Sequence, residues 1–234
     1  MNITKIMVIN ILILTTCYQS YTMDETSLII TTQETLNQSL IEAIKKDDEQ
    51  TVDTLLAVGA NPDVYHEKYE TITLVSATLR NHPAIVSQLL AAGANPDCQD
   101  VVYSTALISA SQEGYENIVK ILLHAQADPN IQNNAGYTAL IVAANRHHKI
   151  VELLVNDTRT DLNLRDSTQK TAILEAIAKN NIPTAIYLIK HYAEYTQEDQ
   201  DRVATDPEFN HIPQAAKDQV FDAWQESHSF YVLK

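Results

Sequence analysis

Three nine-residue segments recur along this chain with almost no adjustment. Leu55-Leu56-Ala57-Val58-Gly59-Ala60-Asn61-Pro62-Asp63 returns as Leu89-Leu90-Ala91-Ala92-Gly93-Ala94-Asn95-Pro96-Asp97, and again as Leu122-Leu123-His124-Ala125-Gln126-Ala127-Asp128-Pro129-Asn130. A second landmark keeps the same period: Leu40, Leu74, Leu107, Leu140 and Ile173 each have an alanine three residues on, at Ala43, Ala77, Ala110, Ala143 and Ala176. A third is the apolar pair eleven and twelve residues after the opening leucine, as in Ile85-Val86 and Ile118-Val119. Each unit therefore reads as a short helix, a tight turn, a longer helix and a return loop. The small alanines let neighbouring helices approach, and the leucines and isoleucines fill the space between layers. No unit of this size buries both of its faces, so the units must stack.

The motifs resemble those of ankyrin-repeat proteins. The family's Gly-x-Thr-Pro-Leu-His-x-Ala-Ala opening appears as Gly136-Tyr137-Thr138-Ala139-Leu140-Ile141-Val142-Ala143-Ala144. Its inter-helix turn appears as Gly114-Tyr115-Glu116-Asn117-Ile118-Val119, and its return loop as Gly93-Ala94-Asn95-Pro96-Asp97. The resemblance implies an all-α solenoid of five repeats at about 35–66, 67–99, 100–132, 133–165 and 166–193. The family's proline is replaced by Thr73, Ala106, Ala139 and Ala172, and its histidine by Val75, Ile108, Ile141 and Leu174, so apolar packing must stand in for the usual Thr–His bracing. Repeat four has a shortened inter-helix turn at Arg146-His147-His148 and recovers the period within Asn156–Asp161. Repeat one lacks the hairpin opening and repeat five the closing loop, as terminal units would.

The four glycines all fall at corners of this repeat: Gly59 and Gly93 in return loops, Gly114 in an inter-helix turn, Gly136 in a hairpin. Asn81 and Asn180 take the inter-helix corner in repeats two and five, and Asp47 in repeat one; asparagine tolerates left-handed backbone better than most residues. So few glycines leave no dinucleotide-binding or phosphate-binding loop. No Asn-Gly or Asp-Gly hairpin signal of a β-sandwich is present either.

Flanking segments differ in character. Residues 1–22 read as a signal peptide: Lys5 precedes the apolar run Ile6–Leu14, which is too short to span a bilayer. Leu14-Thr15-Thr16-Cys17 resembles a lipobox, with Thr16 departing from its small residue, so a lipid anchor at Cys17 is the lesser alternative to a cleaved leader. A linker is expected at 23–34. Past residue 193, Thr196-Gln197-Glu198-Asp199 opens a helix and Asp206-Pro207 breaks it. Pro213 opens a last helix with Ala216, Val220, Phe221 and Trp224 on one face, so residues 194–234 are expected to cap the stack.

The formal charge is −14, with balances of −9 over residues 24–100, 0 over 101–193 and −6 over 194–234. Such a surface repels nucleic acid, and nucleic acid is excluded as a partner. Cys98 is the one cysteine left after a leader containing Cys17 is removed, so no internal disulfide is expected. Histidines and carboxylates are scattered without ligand spacing, and no Gly-x-Ser-x-Gly elbow occurs, so neither metal, cofactor nor catalytic centre is expected. Asn37-Gln38-Ser39 and Asn156-Asp157-Thr158 match glycosylation sequons.

What the resemblance implies instead is a protein-binding surface on hairpin tips and the concave side of the first helices. Its residues are Lys68, Tyr69, Thr71, Leu79 and Arg80 in repeat two, and Val101, Val102, Ser104, Gln112 and Glu113 in repeat three. Repeat four offers Asn134, Ala135, Tyr137, Asn145 and Arg146, and repeat five Ser167, Thr168, Lys170 and Lys179. The expected protein is a monomeric, non-enzymatic interaction module, secreted or held in the cell envelope (periplasm), with a protein partner and no membrane span. A structural or inhibitory subunit masking an envelope enzyme would use the same surface. An enzyme without a recognisable motif ranks last.

Overall fold

A computed structural model describes residues 25–66, 71–191 and 193–229, which fall into two compact units divided between Asn95 and Pro96. The leader, Cys17, and the hairpin residues Lys68 and Tyr69 lie outside the described residues.

The first unit holds two helix pairs. Helix α1 (Glu25–Lys45) packs on α2 (Glu49–Ala57), and α3 (Thr73–Leu79) packs on α4 (Pro83–Ala91). Between the pairs, strands β1 (Tyr65–His66) and β2 (Thr71–Ile72) form a two-residue antiparallel ladder, Tyr65 opposite Ile72 and His66 opposite Thr71. The stretch expected as a linker, 23–34, is helical from Glu25, so the first helix runs straight through the place where a hairpin would open repeat one.

The second unit holds three pairs and a cap. The pairs are α5 (Ala106–Glu113) with α6 (Glu116–His124), α7 (Ala139–Ala144) with α8 (His148–Val155), and α9 (Ala172–Ala178) with α10 (Ile182–Lys190). Helix α11 (Gln197–Thr205), a 3-10 turn (Pro207–Phe209) and α12 (Gln214–Ser229) follow. Helices of six to nine residues do not persist alone in water, so their stability comes from stacking. Leu107, Ile118, Leu122, Leu140, Ile150, Leu154, Ile173 and Leu188 are fully enclosed, each contributing about 1.5–3 kcal/mol by burial. The repeat alanines Ala110, Ala143 and Ala176 sit among them with no exposed surface.

The lost Thr–His bracing is replaced as the sequence requires. Val75, Ile108, Ile141 and Leu174 are buried. Thr105, Thr138 and Thr171 become N-caps, each hydroxyl accepting from the backbone N–H of Ile108, Ile141 or Leu174. Ile72 holds the N-cap position of α3 and makes no such bond; there the Thr73 hydroxyl donates to the Pro62 carbonyl.

Among the described residues ten take positive φ, all at repeat corners. Asp47, Asn81, Gly114 and Asn180 turn between helices, as expected from their placement, and the shortened turn of repeat four has none. Tyr103, Gly136 and Gln169 occupy one equivalent hairpin position, and Gly59, Gly93 and Gln126 the return loop. Tyr103, Gln126 and Gln169 were not legible as left-handed residues, because neither side chain type favours that region.

Repeat five does close its loop, contrary to expectation. The Ala193 N–H donates to the Leu188 carbonyl, as Ala60, Ala94 and Ala127 donate to Leu55, Leu89 and Leu122. The cap then covers the last pair, with Phe209, Val220 and Ala223 buried and the His211 ring against the Ala178 carbonyl at 2.9 Å. Thr196 and Asp199 form a capping box at the start of α11. On α12 the buried stripe passes through Val220 and Ala223; Phe221, expected on that face, is 40% exposed and stacks on Trp224 at 5.7 Å. A register step of one residue turns it about 100° from Val220.

Successive repeats are tied by one recurring bond. Asp63 accepts from the backbone N–H of Asn95 (3.0 Å) in the first unit. In the second, Asp97 accepts from Asp128 (2.8 Å), Asn130 from Asp161 (2.7 Å) and Asn163 from Glu194 (2.8 Å). Asn163→Leu should therefore destabilise the protein by about 1 kcal/mol, whereas Asn163→Asp, which still accepts, should stay near wild type in urea melts. At Gly136 a Cβ would lie 2.6 Å from the Ser167 nitrogen and 2.9 Å from Asp166, whereas at Gly93 it would meet nothing within 4 Å. Gly136→Ala should accordingly cost at least about 1 kcal/mol more than Gly93→Ala, measured by the same melts.

Candidate functional site

The expected contact residues sort into columns one repeat apart, and the columns behave differently. Thr71, Ser104, Tyr137 and Lys170 share the position before the helix-capping residue, at the base of each hairpin. That position faces inward. Thr71, Ser104 and Lys170 are buried, so they do not belong to an exposed contact surface, and Tyr137 is half-exposed. The hairpin tips are open: Val101 is 48% exposed and Val102 44%, while Asn134, Ser167 and Thr168 are also exposed and Ala135 is half-buried. Leu79 and Arg80 are exposed at the end of α3 in the first unit. Tyr103, missed by sequence reasoning, is the most exposed large apolar side chain of the third hairpin, at 59%. Its left-handed backbone, where repeat four has Gly136, is a signal that only the coordinates reveal.

Six of the expected residues converge in the second unit. Gln112, Glu113, Tyr137, Asn145, Arg146 and Lys179 line an open groove of about 610 Å³, joined by Ile141, Val142, His147 and Glu175. Three successive helix pairs contribute to it, α5, α7 and α9 each offering the end of its concave face. The His147 ring spans between two of them, its Nε2 lying 3.0 Å from the Gln112 carbonyl and its edge packed over Gly114. A larger hollow of about 710 Å³ in the first unit, lined by Glu34, Gln38, Lys46 and Asp48 among others, contains none of the expected contact residues.

The floor of the groove is a buried ion network. Lys170 lies 3.1 Å from Glu175 and 2.8 Å from Glu208 of the cap, and Lys179 lies 3.7 Å from the other oxygen of Glu175. Lys170 and Glu175 are 7% and 6% exposed. Burial opposes the charge on Lys170, but its bonds to Glu208 and Glu175 prevail and push its pKa up to about 12. Tyr137, beside this floor, has its hydroxyl pKa raised by burial and by the Glu175 charge. Nearby, Arg165 donates to Asp199 through both terminal guanidinium nitrogens, at 3.0 and 3.2 Å, and Arg202 donates to the carbonyls of Thr168 and Gln169. The cap thus braces the fifth hairpin and reaches the groove-lining Glu175 through Glu208 and Lys170.

Among the described residues, no group of three or more His, Cys, Asp and Glu side chains is placed to hold a metal ion, and no helix is long and apolar enough to cross a membrane. The Asn37 side chain accepts from the Asn61 N–H, and Asn156 lies exposed at the end of α8.

The raised pKa of Lys170 carries a sign. Stability from its charged form is complete below the unfolded value near 10.5 and is lost as pH rises through about 12. Wild type should therefore lose about 1 kcal/mol more than Lys170→Met between those pH values, read from urea melts across the range.

Among curated proteins none matches the chain. A family profile described as ankyrin repeats (3 copies) matches residues 40–133 and again 125–199, together more than half of the chain. Ankyrin repeats are generally protein–protein interaction modules and typically non-enzymatic scaffolds. Helix pairs at a 33- to 34-residue period, with return loops tied repeat to repeat and a matching family profile, mean that this chain belongs to the ankyrin-repeat family.

Proposed function

We propose that this protein is a non-enzymatic interaction module, exported from the cell or held at its envelope, which docks a protein partner on its second unit. The docking surface comprises the groove and the exposed tips of the third to fifth hairpins. One observation carries the reading: residues from three successive repeats, chosen by their place in the repeat, line one continuous open groove. Its polar walls and mixed charges suit a solvated protein segment, while Val101, Val102 and Tyr103 supply apolar contact at the third hairpin. The export reading rests on the leader residues 1–22.

Photo-crosslinking in the native cell separates this face from the rest. A crosslinking residue at Gln112, Asn145 or Val102 should capture one common partner, and the same residue at exposed Lys120 or Lys190, on the second helices, should not. Capture from the second helices alone would refute the groove as the docking face. The mass of the protein recovered outside the cytoplasm should show a chain shortened by about the 22 leader residues; a full-length protein confined to the cytoplasm would refute export.

A further inference from the structure

Glu113, Arg146 and Lys179 are each separated by 33 residues, and all three line the groove. They occupy one position at the C-terminal ends of α5, α7 and α9, and all are exposed. The column therefore presents one negative and two positive charges in a row, one per repeat. Stacked helices lie about 8–10 Å apart. A segment in the extended polyproline II conformation advances about 3.1 Å per residue with three residues per turn, so side chains three apart share one face and bridge one repeat. We infer that the groove reads an extended, predominantly acidic segment of its partner by charge register, with a basic residue opposite Glu113 and acids three and six residues beyond it opposite Arg146 and Lys179. The inference rests on the reading of the groove as a docking surface.

The neighbouring contacts leave these three charges available. Among the described residues no acid pairs with Arg146, and Glu113 meets only the Gln112 amide at 3.5 Å. Lys179 is 45% exposed and 3.7 Å from Glu175, but Glu175 is also held by Lys170 at 3.1 Å. An acid drawing Lys179 away thus leaves Glu175 paired. Tyr137 lines the same groove with its hydroxyl protonated well past neutral pH, able to donate to a backbone carbonyl of the segment. Elsewhere the chain is acidic, so a free acidic segment is repelled by the first unit's residues and by the cap, and residues 101–193, where acids and bases balance, are where it can settle.

The register is tested with labelled peptides of about twelve residues, identical in composition and differing only in charge spacing, titrated against the full-length protein by fluorescence anisotropy. The peptide with one lysine followed by aspartates at the third and sixth positions beyond it should bind about tenfold more tightly than permutations with adjacent charges. About 0.5 M salt should erase that preference. Arg146→Glu should abolish it, and a peptide with lysine in place of the facing aspartate should restore binding to that variant. Equal affinity across the permutations overturns the register, as does a preference that survives both Arg146→Glu and Lys179→Glu, or no binding by any peptide. If the permutations bind alike but Tyr137→Ala weakens them all, the groove stands as a docking surface and the register alone is wrong. The groove itself stands or falls by the crosslinking.

Discussion

The side-chain-to-backbone bond in each return loop is the constraint on which the second unit's surface depends. Asp97, Asn130 and Asn163 each accept from a backbone N–H about one repeat onward, at 2.7–2.8 Å. Their Asx partners fold the loop itself: Asn130 donates its N–H to Asp128 and Asn163 to Asp161. Hydrophobic burial alone would let neighbouring helix pairs slide, since an apolar face is tolerant of small displacements. A directional bond repeated at a fixed sequence position is not tolerant. It sets the vertical register, and the register makes residues 33 apart into columns.

That hierarchy explains what was legible in the sequence and what was not. The helix pairs and the left-handed corners at Asn81, Gly114 and Asn180 follow from local residue type, and the structure has them there. Tyr103, Gln126 and Gln169 adopt the same backbone for another reason: the neighbouring repeats fix the path of the loop, and the stack bears a local cost of about 1–2 kcal/mol. Repeat five's closing loop was hidden likewise, because the sequence has Tyr192 where the earlier loops have Gly59 and Gly93, yet the Ala193 bond to Leu188 forms. Backbone bonds carry no side-chain signature.

The candidate site divides along the same line. Six of its residues were found by their place in the repeat alone, and the groove joins them. Lys170 was misplaced because a lysine on a hairpin reads as solvent-exposed, whereas its partners Glu175 and Glu208 come from another helix and from the cap. Nothing within the repeat announces Glu208. A charge pair assembled from segments 38 residues apart becomes visible only when the chain is folded.

The cap is thereby more than a lid on exposed apolar surface. Covering the last helix pair needs only side chains such as Phe209 and Val220, which are buried there. Glu208, Asp199 and Arg202 go further, reaching Lys170, Arg165 and the backbone of the fifth hairpin. A buried ion network adds little net stability over apolar packing, because desolvation offsets much of the attraction, but it holds its members in one geometry. Here that geometry neutralises Glu175 from beneath. Were Lys170 absent, Lys179 would be drawn onto Glu175 as its main counter-ion, and the groove would lose an outward-facing positive charge. The pairing in the interior thus decides which charges remain at the groove.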